Sequence, residues 1–219
     1  MIECPSCGRR QEPQLTCADC GRPLAAPLDC FAAVGLPRKL TIDASALEHR
    51  YHELSRKIHP DRFASRDVAM RDASLRATAM LTRSYRTLRD PVARGLYWLE
   101  LSGEKLGDNN KGVPPDLAEL VFEVQEQLAE MQLATANSEA AHELATEVGA
   151  RRVRLQFSMD EALAELERNF AKWDSIPPEN AEKDGKMLTL ELKAILSKIA
   201  YLRTLIRDVD RALENSKAA

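Results

Sequence analysis

Residues 51–63 read Tyr-His-Glu-Leu-Ser-Arg-Lys-Ile-His-Pro-Asp-Arg-Phe. The apolar residues of this stretch, with one just upstream, recur at intervals of four, three and four: Leu47, Tyr51, Leu54 and Ile58. This spacing places them on one face of a helix that begins near Asp43. Pro60 ends the helix, because the residue before a proline is disfavoured in the α region. We therefore expect His59, Pro60 and Asp61 at an exposed, sterically restricted turn.

Helical patterns precede and follow this segment. Residues 28–36 predict a short helix, which Gly35 and Pro37 bring to an end. A longer helix is expected over 67–89, with an apolar stripe that packs back on the helix before the turn: Ala77, Leu81, Tyr85 and Leu88. A further helix stops near Gly103. The two longer helices would form an antiparallel hairpin with His-Pro-Asp at its turn.

Four of the five cysteines form two identical motifs near the N-terminus. Each motif is Cys-x-x-Cys followed by Gly and Arg, and nine residues separate the two: Cys4, Cys7, Cys17 and Cys20. Two such turns bring four thiolates around one ion, and a closed four-thiolate site is typical of structural zinc. Residues 1–27 contain few large aliphatic side chains besides Leu15 and Leu24. Metal would therefore supply most of the folding free energy, on the order of 10 kcal/mol.

Other uses of these cysteines fit the sequence less well. Disulfides are disfavoured in a reducing cytoplasm, and a thioredoxin-like dithiol would need a βαβ pattern around it. Iron is the alternative to zinc, because a four-thiolate site is soft enough to hold either metal. The fifth cysteine, Cys30, is expected to be a small buried apolar residue.

The composition favours an all-α protein. Aromatic residues make up only 5% of the chain and glycines number nine, which argues against a β-sandwich or barrel. Hydrophobic residues at 44% and charged residues at 30% exclude a disordered chain. No apolar run approaches the roughly 18 residues of a membrane span, and no signal peptide is recognisable. We therefore expect a cytoplasmic protein.

Charge is distributed unevenly along the chain. Residues 28–103 carry a net charge of +4, whereas residues 104–219 carry −7. Opposite signs suggest an acidic partner for the first segment and a basic partner for the second, although ordinary solvated helices would produce the same pattern.

Three longer helical patterns follow a Gly-, Asn- and Pro-containing linker at 107–115. The first contains Leu117, Val121, Val124, Leu128 and Met131. The second runs from about 138 to 173, and Pro177-Pro178 separates it from the third. In the third, apolar residues alternate at spacings of four and three: Leu188, Leu192, Ile195, Ile199, Leu202, Ile206, Val209 and Leu213. These patterns predict an antiparallel three-helix bundle.

Several motifs in combination resemble a J domain. They are Asp29-Cys-Phe-Ala-Ala-Val-Gly-Leu-Pro37, the stretch from Tyr51 to Phe63, and Tyr85-Arg-Thr-Leu-Arg-Asp-Pro91. Residues 94–103 and the acidic helical tail are similar to the HscB family, the J-domain co-chaperones of iron–sulfur cluster biogenesis. Some members of that family also carry an N-terminal pair of Cys-x-x-Cys motifs. The resemblance covers the entire chain and is most specific over 28–103.

This resemblance implies a non-enzymatic co-chaperone with two docking surfaces. The first would engage a DnaK/HscA-class chaperone and stimulate its ATPase through His59, Pro60, Asp61, Arg50, Arg56, Lys57 and Arg62. The second would hold the iron–sulfur cluster scaffold protein through Phe122, Glu123, Glu126, Glu130 and Tyr201. Ala118 departs from the family pattern, which has a larger apolar residue at that edge of the patch. The implied partners include neither nucleic acid nor a membrane, and self-association is left open.

Two other functions compete with this hypothesis. A zinc-knuckle nucleic-acid-binding helical protein would use the basic hairpin, but the acidic bundle and a pI near 5.9 oppose it. A metal-dependent or redox enzyme would need an open position on the metal, which four thiolates close. His49 and His52 are three residues apart, and we expect them to be ordinary surface histidines rather than metal ligands.

The expected organisation is an all-α chain in four parts. These are a four-Cys zinc-binding module over 1–27, a J domain over 28–103, a linker over 104–115 and a scaffold-binding bundle over 116–219.

Overall fold

A computed structural model of the chain describes residues 1–24, 27–106, 113–133 and 139–218. These residues form seven α-helices and one small two-stranded sheet. They divide into two compact units, Met1–Leu101 and Ser102–Ala219. The predicted all-α class is confirmed. No helix in the described part of the chain has both the length and the apolar character needed to cross a membrane.

The first unit begins with the cysteine-rich segment. Strands β1 (Ile2–Glu3) and β2 (Arg10–Gln11) are antiparallel and connect through the first Cys-x-x-Cys turn. This small sheet was not predicted, because two-residue strands carry no readable alternation of polar and apolar residues. The second Cys-x-x-Cys turn is closed by an isolated bridge between Thr16 and Pro23.

Four helices follow in this unit: α1 (Cys30–Val34), α2 (Ala44–Ile58), α3 (Val68–Arg89) and α4 (Pro91–Leu101). Between α2 and α3, Pro60–Phe63 forms a single 3₁₀ turn. All four helices were predicted, and their boundaries follow from capping residues and prolines. Asp29, for example, accepts a hydrogen bond from the Ala32 N–H at 2.8 Å and so begins α1.

The core of the first unit lies between α1, α2 and α3. Phe31, at the centre, is fully buried and contacts the rings of Tyr97 and Trp98 on α4, each with a centroid distance of 6.2 Å. The predicted apolar stripes of α2 and α3 face this core, and Cys30 is buried in it as expected. Leu15, from the cysteine-rich segment, belongs to the same hydrophobic cluster.

The second unit contains three helices. They are α5 (Ala118–Leu133), α6 (Glu139–Asp174) and α7 (Ala181–Ala218), and 3₁₀ turns over Pro115–Leu117 and Pro178–Asn180 precede α5 and α7. The predicted linker at 107–115 falls largely on residues 107–112, which lie outside the described residues. The finer four-part division of the chain stays a prediction.

Ion pairs establish the antiparallel order of the bundle. Arg152 on α6 pairs with Asp210 on α7 at 3.0 Å, while Lys172, farther along α6, pairs with Glu191, earlier on α7, at 3.4 Å. The core of the bundle contains the predicted seam of α7, including Leu192, Ile199, Leu202 and Val209. An antiparallel bundle follows from apolar stripes on three helices joined by short connections.

Candidate functional site

The His-Pro-Asp turn lies at the surface of the first unit. Ile58, the last residue of α2, is fully buried, but His59 and Asp61 are exposed, with 90% of the Asp61 side chain accessible. His59 has a ψ of 132°, because the following Pro60 excludes the helical conformation. The turn therefore leaves α2 abruptly and presents its polar side chains to solvent.

Hydrogen bonds from α3 hold the end of α2 in place. The hydroxyl of Ser74, which is fully buried, donates to the carbonyl oxygen of Ile58 at 2.6 Å, and the hydroxyl of Thr78 donates to the same oxygen at 3.4 Å. The Ile58 carbonyl needs these donors because the turn diverts the Arg62 N–H, the fourth after it, to the His59 oxygen at 3.0 Å. Ser74 and Thr78 are thus supports of the turn.

Neither of these two supporting residues was predicted from the sequence. Both lie on the core-facing side of α3, within the stripe that also contains Ala77. Most buried hydroxyls have a hydrogen-bond partner, so a serine within the buried stripe of α3 was the available signal. Its partner could not be read from the sequence, because Ile58 is 16 residues away.

The turn itself is internally ordered. Nδ1 of His59 accepts a hydrogen bond from the Asp61 N–H at 3.3 Å and lies 3.5 Å from the Asp61 carboxylate. The Asp61 carboxylate is nevertheless almost fully accessible. It is therefore available to a donor on another protein, and a charged donor such as arginine would bind it most strongly.

Three of the four predicted cationic residues lie next to the turn. The Arg62 guanidinium donates to the Arg56 carbonyl oxygen at 3.0 Å. This hydrogen bond holds the Arg62 side chain against the last turn of α2. Lys57 pairs with Glu53 at 2.7 Å, and this pairing lowers the pKa of the Glu53 carboxyl. Positive charge is thus concentrated within one helical turn of His-Pro-Asp.

Arg50, the fourth predicted cation, has a structural contact instead. Its guanidinium donates to the carbonyl oxygen of Gly35 at 3.2 Å and lies 3.6 Å from the Glu53 carboxylate. Gly35 has a φ of +68° and ends α1. Arg50 therefore ties the middle of α2 to the end of α1, more than two helical turns before His59.

The four predicted metal ligands converge. The sulfur atoms of Cys4, Cys7, Cys17 and Cys20 all lie within 4.8 Å of one another, and the Cys4–Cys20 and Cys7–Cys17 sulfur pairs are 3.6 Å apart. Four sulfurs bound at about 2.3 Å to a central zinc would lie about 3.8 Å from each other, so the donor set fits a single tetrahedral ion. It is the only such group of three or more potential ligands within the described residues.

Each Cys-x-x-Cys turn owes its shape to a glycine. Gly8 and Gly21 have φ values of +73° and +68°, a conformation that glycine adopts without steric cost. Their N–H groups donate to the carbonyl oxygens of Cys4 and Cys17 at 2.9 and 3.0 Å. The two turns are therefore structurally equivalent and direct their thiols to one point.

The thiols influence one another's ionisation. Burial raises the pKa of the Cys4 thiol, but hydrogen bonds from the backbone at Ser6 and Cys7 outweigh burial and lower this pKa to about 6. The pKa of Cys7 is raised to about 12: a backbone hydrogen bond at Arg9 lowers it, but desolvation and the neighbouring sulfurs together outweigh that bond. The lowered pKa favours the thiolate of Cys4, whereas the raised pKa of Cys7 makes its ionisation costly until a cation compensates the charge.

Four of the five predicted partner-binding residues of the bundle lie on α5, where they occupy two different faces. Phe122, Glu126 and Glu130 are four residues apart, share one face and are exposed, with 67% of Phe122 accessible. Glu123 instead faces α6, where its carboxylate forms an ion pair with Arg151 at 3.0 Å and accepts a hydrogen bond from Arg154 at 3.2 Å.

Two further residues were singled out in the sequence. Tyr201 on α7 is half-buried, and Ala118, one turn before Phe122, is exposed. The surface that we call the α5 face therefore consists of Phe122, Glu126 and Glu130.

Curated proteins similar to this chain carry co-chaperone names. The Co-chaperone protein HscB homolog of Aromatoleum aromaticum is 42% identical over 79 residues, covering 36% of this chain and 45% of that protein. The homolog of Paraburkholderia xenovorans is 32% identical over 147 residues, covering 67% of this chain and 83% of that protein. For several relatives, the chain spans only about half of their length, between 45% and 61%. No protein-family model matches the chain.

A solved structure supports the same relationship. The crystal structure of human co-chaperone protein HscB superposes with a TM-score of 0.62 at 26% sequence identity, covering 95% of this chain and 97% of that one. A helical hairpin with an exposed His-Pro-Asp turn, followed by a three-helix bundle, thus places the chain in the class of J-domain co-chaperones. The chain belongs to the HscB family, as the motifs in its sequence predicted.

Proposed function

We propose that this chain is an iron–sulfur cluster co-chaperone. It stimulates the ATPase of a DnaK/HscA-class chaperone and delivers the iron–sulfur cluster scaffold protein to it. The observation that carries this proposal is the exposed His-Pro-Asp turn. A hydrogen bond from α3 holds the end of α2 in front of the turn, and the Asp61 carboxylate is accessible to another protein. The chain itself hydrolyses nothing; the ATPase chemistry belongs to the chaperone.

The turn would act by positioning charge. Asp61 offers an accessible carboxylate to an arginine of the chaperone, while the 3₁₀ turn fixes its backbone. Arg56, Lys57 and Arg62 attract an acidic surface and raise the association rate, an effect that salt should weaken. Arg50 contributes mainly by holding α2 against α1.

The bundle would carry the scaffold protein on the α5 face. Phe122 supplies an exposed aromatic anchor, and Glu126 and Glu130 continue the same face of α5 with negative charge. Tyr201 on α7 would add a second aromatic contact, whereas Glu123 would act indirectly by fixing α5 against α6. Binding two partners to one chain raises their effective mutual concentration, to about millimolar when the geometry allows both to bind.

The metal in the four-Cys site is proposed to be structural zinc. Four sulfur ligands leave no open position for a substrate, and their spacing fits one tetrahedral ion. Zinc bound there would hold the two Cys-x-x-Cys turns together and so fold the segment around them.

The experiment is a single-turnover ATPase assay with DnaK- and HscA-type chaperones, with and without scaffold protein. Asp61→Asn should abolish stimulation, because it removes the charge of an exposed carboxylate without disturbing a core contact. Asp72→Asn is the matched control: Asp72 is an exposed carboxylate on α3, and its loss should leave stimulation unchanged. Stimulation that survives Asp61→Asn, or that no such chaperone shows, contradicts the proposal.

The same assay tests the α5 face. Phe122→Ala should reduce scaffold binding and the scaffold-dependent part of the stimulation, while basal stimulation persists. Phe157→Ala provides the control, because Phe157 is similarly exposed but lies on α6. Equal losses from both substitutions would show that the α5 face has no special role.

A further inference from the structure

Two leucines of the cysteine-rich segment are buried in different places. Leu24 is packed with Cys4, Cys17 and Ile2, within the segment itself. Leu15 is equally buried, at 3% exposure, but it belongs to the hydrophobic cluster of the helical hairpin. Leu24 therefore packs inside the cysteine-rich segment, whereas Leu15 packs in the core of the helical hairpin.

The metal-binding turn determines where Leu15 lies. The Leu24 N–H donates to the Leu15 carbonyl oxygen at 2.8 Å, and the neighbouring bridge pairs Thr16 with Pro23. Cys17, a potential metal ligand, is only two residues from Leu15, and its N–H donates to the Arg22 oxygen at 2.8 Å. Backbone hydrogen bonds thus link Leu15 directly to the second Cys-x-x-Cys turn.

The element that depends most on this cluster is α1. It contains only five residues, and a helix of that length has little stability of its own. Four of its residues are buried in the cluster to which Leu15 belongs: Cys30, Phe31, Ala33 and Val34. The α1 backbone is also held by the Tyr97 hydroxyl, which accepts from the Cys30 N–H at 2.9 Å.

We propose that metal binding at the four cysteines and packing of the J-domain core are thermodynamically coupled through Leu15. Without metal, the segment has only Ile2 and Leu24 as internal large aliphatics and cannot stay folded, so Leu15 leaves the core and α1 loosens. With metal, Leu15 is held in place. Such coupling is reciprocal: the core must favour metal binding by the same factor by which metal favours the core.

Hydrogen exchange of the full-length chain tests this coupling. Backbone amides of α1 should exchange about tenfold faster or more after zinc is removed with EDTA, since releasing a buried leucine changes a local opening equilibrium by at least that factor. Amides of α7 in the second unit serve as the internal reference and should not change. Loss of the metal is followed independently, through the thiolate-to-metal absorption of Co²⁺ bound in place of zinc.

Two matched substitutions separate coupling from general damage. In Leu15→Ala, α1 should exchange fast with or without metal, and Co²⁺ affinity should fall by about the factor by which metal protected α1 in the native chain. In Leu24→Ala, Co²⁺ affinity should fall, but saturating metal should still slow the exchange of α1.

Two results would overturn the proposal. One is unchanged α1 exchange in the native chain after the metal signal has disappeared. The other is a Leu15→Ala chain in which α1 responds to metal as strongly as in the native chain. Neither readout involves a chaperone or scaffold, so the coupling stands or falls independently of the proposed co-chaperone function.

Discussion

The carbonyl oxygen of Ile58 provides a direct test of how the His-Pro-Asp turn is held. This oxygen accepts a 2.6 Å hydrogen bond from the Ser74 hydroxyl and a longer one, at 3.4 Å, from Thr78. Ser74→Ala removes the shorter bond at a fully buried position and leaves the carbonyl with only the weaker donor. A buried polar group that loses its partner costs about 1–3 kcal/mol.

Ser84, on the same helix, provides a control substitution that is not expected to lower stability. Ser84 is also fully buried, but its hydroxyl has no hydrogen-bond partner among the described residues. Ser84→Ala therefore removes a buried hydroxyl whose desolvation is not compensated by a hydrogen bond. The free energy of unfolding should stay the same or increase. The two substitutions are chemically identical and lie ten residues apart on α3.

Urea unfolding followed by tryptophan fluorescence measures the difference. Trp98 lies in the first unit and Trp173 in the second, so a Trp173→Phe background makes Trp98 a reporter of the first unit alone. A loss of about 2 kcal/mol with a slope of about 1.5 kcal/mol per M lowers the urea midpoint by roughly 1 M. Chaperone stimulation should fall in the Ser74→Ala chain as well, because the end of α2 becomes less fixed. If Ser74→Ala is no less stable than Ser84→Ala, the hydroxyl does not support the turn.

Two further substitutions test the ends of α1. Asp29→Ala should destabilise the first unit by about 1 kcal/mol at pH 7, because it removes the N-cap and an ion pair with Arg38. Burial raises the pKa of the Asp29 carboxyl, but the capping bond and Arg38 outweigh burial and lower it. The stability that ionised Asp29 adds to the folded state is therefore present above about pH 4 and is lost as the pH falls through the lowered pKa. The urea midpoints of the native and Asp29→Ala chains should therefore converge as the pH is lowered from 7 to 3, and a constant difference between them would contradict this account. Gly35→Ala should cost about 1–2 kcal/mol, because φ is +68° and the new Cβ would lie 2.7 Å from the Arg50 guanidinium; an unchanged urea midpoint would refute it.

The sequence alone determined the helices, the His-Pro-Asp turn and the convergence of four cysteines. Each of these depends on local spacing: apolar residues three or four apart define a helix face, a proline ends a helix, and Cys-x-x-Cys followed by glycine forms a metal-binding turn. The predicted boundaries of α2 and the exposed position of Asp61 follow from such rules.

Only the tertiary structure decided which partners those residues meet. Leu15 packs in the core of the hairpin rather than within its own segment, Arg50 binds the end of α1, and Glu123 faces α6. Periodicity identifies the buried side of a helix, but it carries no information about which distant residue lies opposite. Contacts between residues 15 to 31 positions apart, such as Ser74 with Ile58 or Glu123 with Arg154, arise only when the chain is folded.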